Sequence, residues 1–210
     1  MTDPQPMKTT DAFAELGRIR FTETDFATVL AKVADLARRT IPGADDVSIT
    51  LVGAGGAHTA AFTGERAVTV DEWQYQQGHG PCLAAAAANI TVTVPDMAGE
   101  SRWPYWADRA IDAGVHSCVS IGLPLRESVS GAVNVYAGTP QAFDEDAVIL
   151  AETFGGYAAM AMANAHRYDS TATLGEQPGR VEQTQGRVLD LHVQLGVGVA
   201  RRQVAQARHD

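Results

Sequence analysis

The sequence predicts an α+β fold in which an antiparallel sheet carries terminal helices on one face and a covering segment, from Asp71 to Ala113, on the other. Three observations lead there. Apolar residues recur at helical spacing near both ends of the body, strand-like runs come as two adjacent pairs, and the stretch between the pairs is less regular. Strands that follow one another directly argue for hairpins and against a parallel sheet.

Residues 1–10 hold two prolines and little apolar content, so a disordered lead is expected there. From Thr22 the spacing turns helical. Thr22 and Asp25 fit a capping box, and Phe26, Val29, Leu30, Val33, Leu36 and Ala37 form one face until Pro42 and Gly43 stop it. In DDVSITLV, Val47, Ile49 and Leu51 alternate with Ser48 and Thr50, and the stretch from Gly53 to Gly56 turns the chain into HTAAFTG. The two runs read as a hairpin. Short helices are expected over Val70–Gln77 and Leu83–Ala88, a strand at ITVTV, and another short helix over Tyr105–Ala113. HSCVSIGLPL and SGAVNVYAG, joined by a polar turn from Arg126 to Ser130, make a second hairpin. Asp144 then caps the longest helix, with Ala147, Leu150, Ala151, Phe154, Ala158, Ala161 and Ala165 along one face. Gly155 and Gly156 inside it each cost about 1 kcal/mol of helix propensity relative to alanine. A close packing contact, within the chain or across a dimer, is expected to compensate.

The bulk composition narrows the function. A chain of 210 residues, 45% hydrophobic and 20% charged, is long enough for one well-buried domain and a tail. Its net charge of -9 and pI near 5.0 argue against an overall electrostatic grip on nucleic acid. Two cysteines, Cys82 and Cys118, are too few for a disulfide framework, and no Cys/His spacing suggests zinc, so no metal is expected. MTDPQPMKTTDAF lacks the apolar core of a signal peptide, and no run approaches the roughly 18 apolar residues of a membrane span. A cytoplasmic location follows as the expectation.

Cys82 is the sharpest candidate for chemistry. In QGHGPCLAAAAANITVTVPDM it follows Pro81 at the start of a helix, where the positive helix end lowers a thiol's pKa. Free cysteine is also among the most buried residue types, which makes a packed small hydrophobe the competing role. His79, three residues earlier, fits either a base for a cysteine nucleophile or an exposed side chain in a turn that Gly78 and Gly80 permit. GHG is no phosphate loop, since it lacks the GKS or GKT ending and the Rossmann spacing. With no third orienting residue in view, no catalytic residue is assigned. Cys118, Ser120 and Gly122 share one strand face, opposite Val119, Ile121 and Leu123. That small-residue face leaves room for a ligand if it points to the covered side; ordinary sheet packing is the alternative. A Cys82–Cys118 disulfide is not expected in a reducing cytoplasm. Trp103, in SRWPYW with Trp106, suits a pocket wall or a core plug. Asp96 suits a turn cap, and Asn134 and Tyr136 fit polar pocket contacts or a hydrated face.

Together these segments resemble the GAF domain in the form common in actinobacterial regulators. QGHGPCLAAAAANITVTVPDM is similar to that group's Gly-Glu-Gly-Pro-Cys segment with its short helix, strand and Asp-containing turn. SRWPYWADRAIDAGVHSCVSIGLPL continues the resemblance, and SGAVNVYAGTPQAF is similar to the last hairpin and the entry to the final helix. His79 stands where the group usually has glutamate. The matching order sets a sensor domain over 11–168 and a tail of unassigned structure over 169–210. The resemblance implies a six-stranded antiparallel sheet between helices, a small-molecule pocket on the covered face, frequent dimerisation and no enzymatic activity. Placed in that pocket, Cys82, Trp103, Cys118, Ser120, Asn134 and Tyr136 become the expected ligand contacts. The ligand and any cofactor are unknown.

In many relatives an ANTAR module follows, a three-helix RNA-binding unit that relieves transcription termination. The last 36 residues here carry Pro178 and several glycines and lack that module's Ala-rich basic run; five arginines against four acids give them a charge of +1, leaving -10 for the body. A frameshift near Thr173 would explain the missing module, and translating the other frames tests it. The leading expectation is a non-enzymatic sensor in signal transduction or transcription regulation, whose ligand shifts the helices of an output or dimer surface by binding two states unequally. Two alternatives stand beside it: a thiol-based redox sensor or reductase using Cys82, and an RNA-binding antiterminator with a degraded output module. The expected partners are an unidentified small molecule and a second copy of the chain, with no membrane and, lacking an intact output module, no nucleic acid.

Overall fold

The computed structural model describes residues 7–19, 25–126 and 129–172. The expected lead before residue 7, the Thr22 cap, the turn at residues 127 and 128, and the tail beyond 172, where a frameshift is the expectation, all lie outside the described residues. Along the body run α1 (Thr9–Gly17), α2 (Phe26–Thr40), β1 (Asp46–Gly53), β2 (Gly56–Phe62), α3 (Glu65–Gln77), α4 (Pro81–Ala88), β3 (Thr91–Val94), α5 (Pro104–Asp112), β4 (Ser117–Arg126), β5 (Val129–Ala137) and α6 (Glu145–Ala172). A 3-10 turn at Met97–Gly99 links β3 to α5. None of these helices is long and apolar enough to cross a membrane.

Several ends differ from the expected boundaries: α3 begins at Glu65 instead of Val70 and α4 at Pro81 instead of Leu83. α1 begins at Thr9, inside the expected lead, because Ala12 and Leu16, one helical turn apart, bury against the core. α6 runs past residue 168 to Ala172. In α2 the N-cap is Asp25, whose carboxylate accepts from the Thr28 N–H at 3.0 Å and the Thr28 hydroxyl at 2.7 Å. That satisfies a donor which helix geometry leaves free. At α6 the cap is the expected one, with the Ala147 N–H donating to Asp144 at 2.8 Å.

The strands form one antiparallel sheet in the order β2-β1-β5-β4-β3, so the second hairpin closes onto the first and β5 lies at the centre. Five strands, not the expected six, make up this sheet. Each run with period-two alternation has become one of them, whereas the residues between β2 and β3 carry helical spacing and form α3 and α4. Among the described residues nothing is left to form a sixth.

Alternation gives the sheet two different faces. Val47, Ile49, Val119, Ile121, Leu123, Val133 and Val135 enter a core with α1, α2 and the Ala151, Phe154 and Ala158 face of α6. The opposite face carries Ser48, Thr50, Cys118, Ser120, Asn134 and Tyr136 beneath α3, α4 and α5. A register shift between Ile49 and Thr50 brings Thr59 of β2 opposite Thr50. Both hydroxyls therefore serve the covered face.

Two glycines set how closely helices approach the sheet. A Cβ at Gly155 would meet Ile121 Cγ2 at 2.5 Å, so the close contact expected of the Gly155–Gly156 pair is made within the chain, by Gly155. At Gly122 a Cβ would stand 2.8 Å from Asn89 Cα and 2.9 Å from Ile90 N. The room that Gly122 leaves on the small-residue face is therefore taken by the end of α4, not by a ligand. Backbone cannot step aside as a side chain can, so Gly122→Ala is expected to cost about 2 kcal/mol or more by overpacking. Thermal unfolding of the variant checks this, and an unchanged Tm would contradict the close approach.

Candidate functional site

α3 places Ala67, Asp71 and Gln74 on one face, four and three residues apart, and all three are fully buried. Asp71 gathers donors from the sheet. Its Oδ1 accepts from the Tyr136 hydroxyl at 2.5 Å and from Asn134 Nδ2 at 3.5 Å, and its Oδ2 accepts from the Thr59 hydroxyl at 2.9 Å. Asn134 Nδ2 also donates to Thr50 Oγ1 at 2.8 Å and Ser48 Oγ at 3.1 Å. The Tyr75 hydroxyl bridges Thr50 and Thr59 at 2.9 Å each. Gln74 completes the layer: its amide nitrogen donates to the Tyr136 oxygen at 3.4 Å, and its carbonyl accepts the Cys82 N–H at 2.9 Å. A Cβ at Gly80 would overlap the Gln74 side chain, so the turn before α4 needs a glycine there.

Burial dominates the electrostatics. It pushes the Asp71 carboxyl up from 3.8 to about 6, against hydrogen bonds from Ser48, Tyr136 and Thr59 that favour the ionised form, while Glu72 adds a charge of the same sign. None of the buried polar side chains among the described residues is basic. Burial likewise raises Tyr75, Cys82, Cys118 and Tyr136, with the Asp71 charge adding to each. This corrects the expectation of a lowered Cys82 pKa. The thiol does sit at the start of α4, but exclusion of water outweighs the helix end. Both cysteines are free.

Two polar atoms of the layer are left over. Asn134 Oδ1 and Ser120 Oγ are buried with no hydrogen-bond partner among the described residues, and Ser120 stands directly across from Asn134 in the β4–β5 register. An unpaired buried group costs about 1–3 kcal/mol, so a hydrogen-bonding guest would be stabilised here. The other two such atoms, Arg39 Nε and Thr40 Oγ1, lie at the end of α2.

The structure brings the expected contacts together. Cys82, Cys118, Ser120, Asn134 and Tyr136 are all 0% exposed on the covered face. Trp103 is half-buried and packs on the clusters around both Cys82 and Cys118, with the Arg102 guanidinium 4.6 Å from its ring centre. Trp106 is the core plug, fully buried with its indole N–H on Val70 O at 2.9 Å. Asp96 caps the 3-10 turn through the Ala98 N–H at 3.0 Å, and His79 is exposed. Asp71, Gln74, Tyr75, Thr50 and Thr59 escaped the sequence reading. A signal was there for two of them: a helix that buries Ala67 and Val70 must carry Asp71 and Gln74 into the same interior.

An open groove of about 530 Å³ lies elsewhere, where Ile90, Gly122, Gly155 and Met160 line the space between the β3–β4 edge and α6. None of the expected contacts lines it, and neither unpartnered acceptor of the polar layer does. The covered face is therefore the candidate site.

Such an arrangement, a sheet between helices with a polar layer under one cover, belongs to a ligand-binding or signal-sensing class of α+β domain. Residues 23–163 match the GAF domain, and the chain belongs to that family. Among solved structures it is similar to the free methionine-R-sulfoxide reductase from Neisseria meningitidis in complex with its substrate, at 17% identity and TM-score 0.57, covering 77% of this chain and 89% of that one. The chromophore-binding domain of the bacteriophytochrome RpBphP3 from R. palustris is similar at 16% identity and TM-score 0.54, over 76% of this chain and 61% of that one. The GAF domain of the Acinetobacter phosphoenolpyruvate-protein phosphotransferase is similar at 14% identity and TM-score 0.51, over 76% and 92%. No curated protein matches the chain. These likenesses show the fold alone. They also overturn the expectation that the chain is no enzyme, because sulfoxide reductases from Neisseria meningitidis and Thermoplasma acidophilum share this fold with sensors.

Two outcomes are expected of the site. Because the Asp71 pKa is raised in the fold, the native chain binds a proton between about pH 4 and 6 that the unfolded chain does not. Its contribution to stability is greatest below the unfolded carboxyl's range and falls by about 3 kcal/mol as pH rises through about 6. The difference between wild type and Asp71→Asn, followed by denaturant unfolding across that range, isolates the effect; parallel pH profiles would refute it. The second concerns the thiols: Cys82 and Cys118 should resist alkylation in the native chain and react on unfolding. Rapid labelling of the native protein would show that the cover does not exclude reagents.

Proposed function

We propose that this GAF domain senses a small molecule held on the covered face by Ser120, Asn134 and Tyr136, with Cys82, Cys118 and Trp103 as its apolar surround. The observation that carries this reading is the pair of unpartnered polar atoms, Ser120 Oγ and Asn134 Oδ1, facing the cover from adjacent strands. The face is closed, so binding requires the α3–α4 cover to shift, and a ligand that prefers the shifted state passes its occupancy to the surrounding helices. An output in transcription regulation, of the actinobacterial ANTAR-linked type, rests on the sequence resemblance; the location we propose is cytoplasmic. Exposed Ile149 and Met160 on α6 support pairing with a second copy of the chain.

One observation favours a second reading, thiol chemistry: both cysteines share the covered face of a fold that also serves sulfoxide reductases. Resistance of both thiols to alkylation would count against it, and reduction of free methionine-R-sulfoxide by the purified chain would establish it.

Native mass spectrometry of gently purified protein tests the main reading. A small molecule is expected to co-purify and to be lost from Asn134→Leu. Retention of the same molecule in that variant would move the site elsewhere.

A further inference from the structure

We infer that the covered face binds a small organic cation, an amine or guanidine, with Asp71 as its counter-charge and Asn134 Oδ1 and Ser120 Oγ as acceptors for its N–H groups. This rests on the reading of that face as the ligand site and adds the chemistry of the ligand.

Most donors of the layer are committed, and the Ser120 hydroxyl is the exception. Tyr136 and Thr59 give their hydroxyl protons to Asp71, Gln74 Nε2 goes to Tyr136, and the Cys82 N–H goes to Gln74. The Asn134 amide nitrogen faces Ser48, Thr50 and Asp71, which fixes its orientation and turns Oδ1 away as an acceptor with no proton to offer. What a guest meets is therefore a buried carboxylate, the Asn134 Oδ1 acceptor and the Ser120 hydroxyl, which can accept as well as donate. An isolated buried charge is tolerated when it is paired, and no basic side chain is among the buried polar residues described. A cation carrying several N–H groups supplies the missing charge and the missing donors at once. A carboxylate or phosphate would instead add a second negative charge beside Asp71, where Glu72 already acts with the same sign. The ligand must be small, because Gln74 fills the layer between Gly80 and Tyr136.

The test is a 15N–1H NMR titration of the full chain with methylguanidinium, acetate and acetamide as cationic, anionic and neutral probes at equal ionic strength. Gln74→Ala, which opens space beside Tyr136, is titrated in parallel. Methylguanidinium is expected to shift the Ser120 and Asn134 signals saturably, and Asp71→Asn to weaken it about tenfold or more, the worth of a charge-assisted hydrogen bond. Should Asp71→Asn fail to fold, wild type at about pH 5 against about pH 7.5 gives the same comparison, with weaker binding expected at the lower pH. Of the other titratable groups that interact with Asp71, Tyr75, Tyr136, Cys82 and Cys118 have pKa values pushed up by burial, and Glu72 lies on the exposed side of α3. Acetate or acetamide binding as tightly as methylguanidinium would overturn the cation inference and leave the site reading standing. Undiminished methylguanidinium affinity in Asp71→Asn would do the same. No saturable shift at Ser120 or Asn134 with any probe, in either chain, would overturn both.

Discussion

A carboxylate taken out of water dictates what may stand around it. Once α3 carries Asp71 into the interior, the sheet beneath must offer donors, and it does so with a tyrosine, a threonine and an asparagine from β5 and β2. The rest of the covered face follows from that demand. Asn134 turns its nitrogen inward and leaves its oxygen unpaired, Tyr75 ties Thr50 to Thr59, and Gln74 spans from Tyr136 to the first turn of α4. Asp71 also makes the region costly in the empty state, because its hydrogen bonds compensate burial only in part. Sites that bind or react are often less stable than the scaffold holding them.

That scaffold is conventional in its packing. One sheet face is aliphatic and buried by the terminal helices, and the other is polar and buried by the middle of the chain. The two are held in register by β5, which pairs with both β1 and β4. Gly122 lets the end of α4 come down on β4 at backbone distance, and Gly155 lets α6 close on the Ile121 side chain on the other face, which fixes where both helices lie relative to the strand that bears Ser120.

Much of this was legible because it depends on periodicity. The alternation of Val47, Ile49 and Leu51 against Ser48 and Thr50 identified both a strand and its two faces. The same logic placed Cys118 and Ser120 together on one face, which the structure turns to the covered side. The six residues that the family resemblance set in the pocket lie on that face, five of them fully buried. What periodicity could not give was the content of the cover. α3 is only weakly amphipathic, since its buried stripe contains Asp71 and Gln74, and two polar residues in a core look like surface to a hydrophobicity pattern. The bulge that brings Thr59 opposite Thr50 is likewise a backbone event without a residue signature. Cys82 shows a different limit: its position at a helix start left two roles open, and burial favours the packed small hydrophobe over the thiol of lowered pKa. The sixth strand came from family resemblance alone.

The measurement that bears most directly on all of this is the titration of Asp71 itself, followed through its side-chain carboxyl carbon by 13C NMR in the absence of added ligand. A midpoint of about 6 is expected for a carboxylate buried among donors with no cation beside it. A midpoint near the ordinary value of about 4 would mean that water or a positive charge reaches Asp71, and the covered face would not be the uncompensated acidic layer described above.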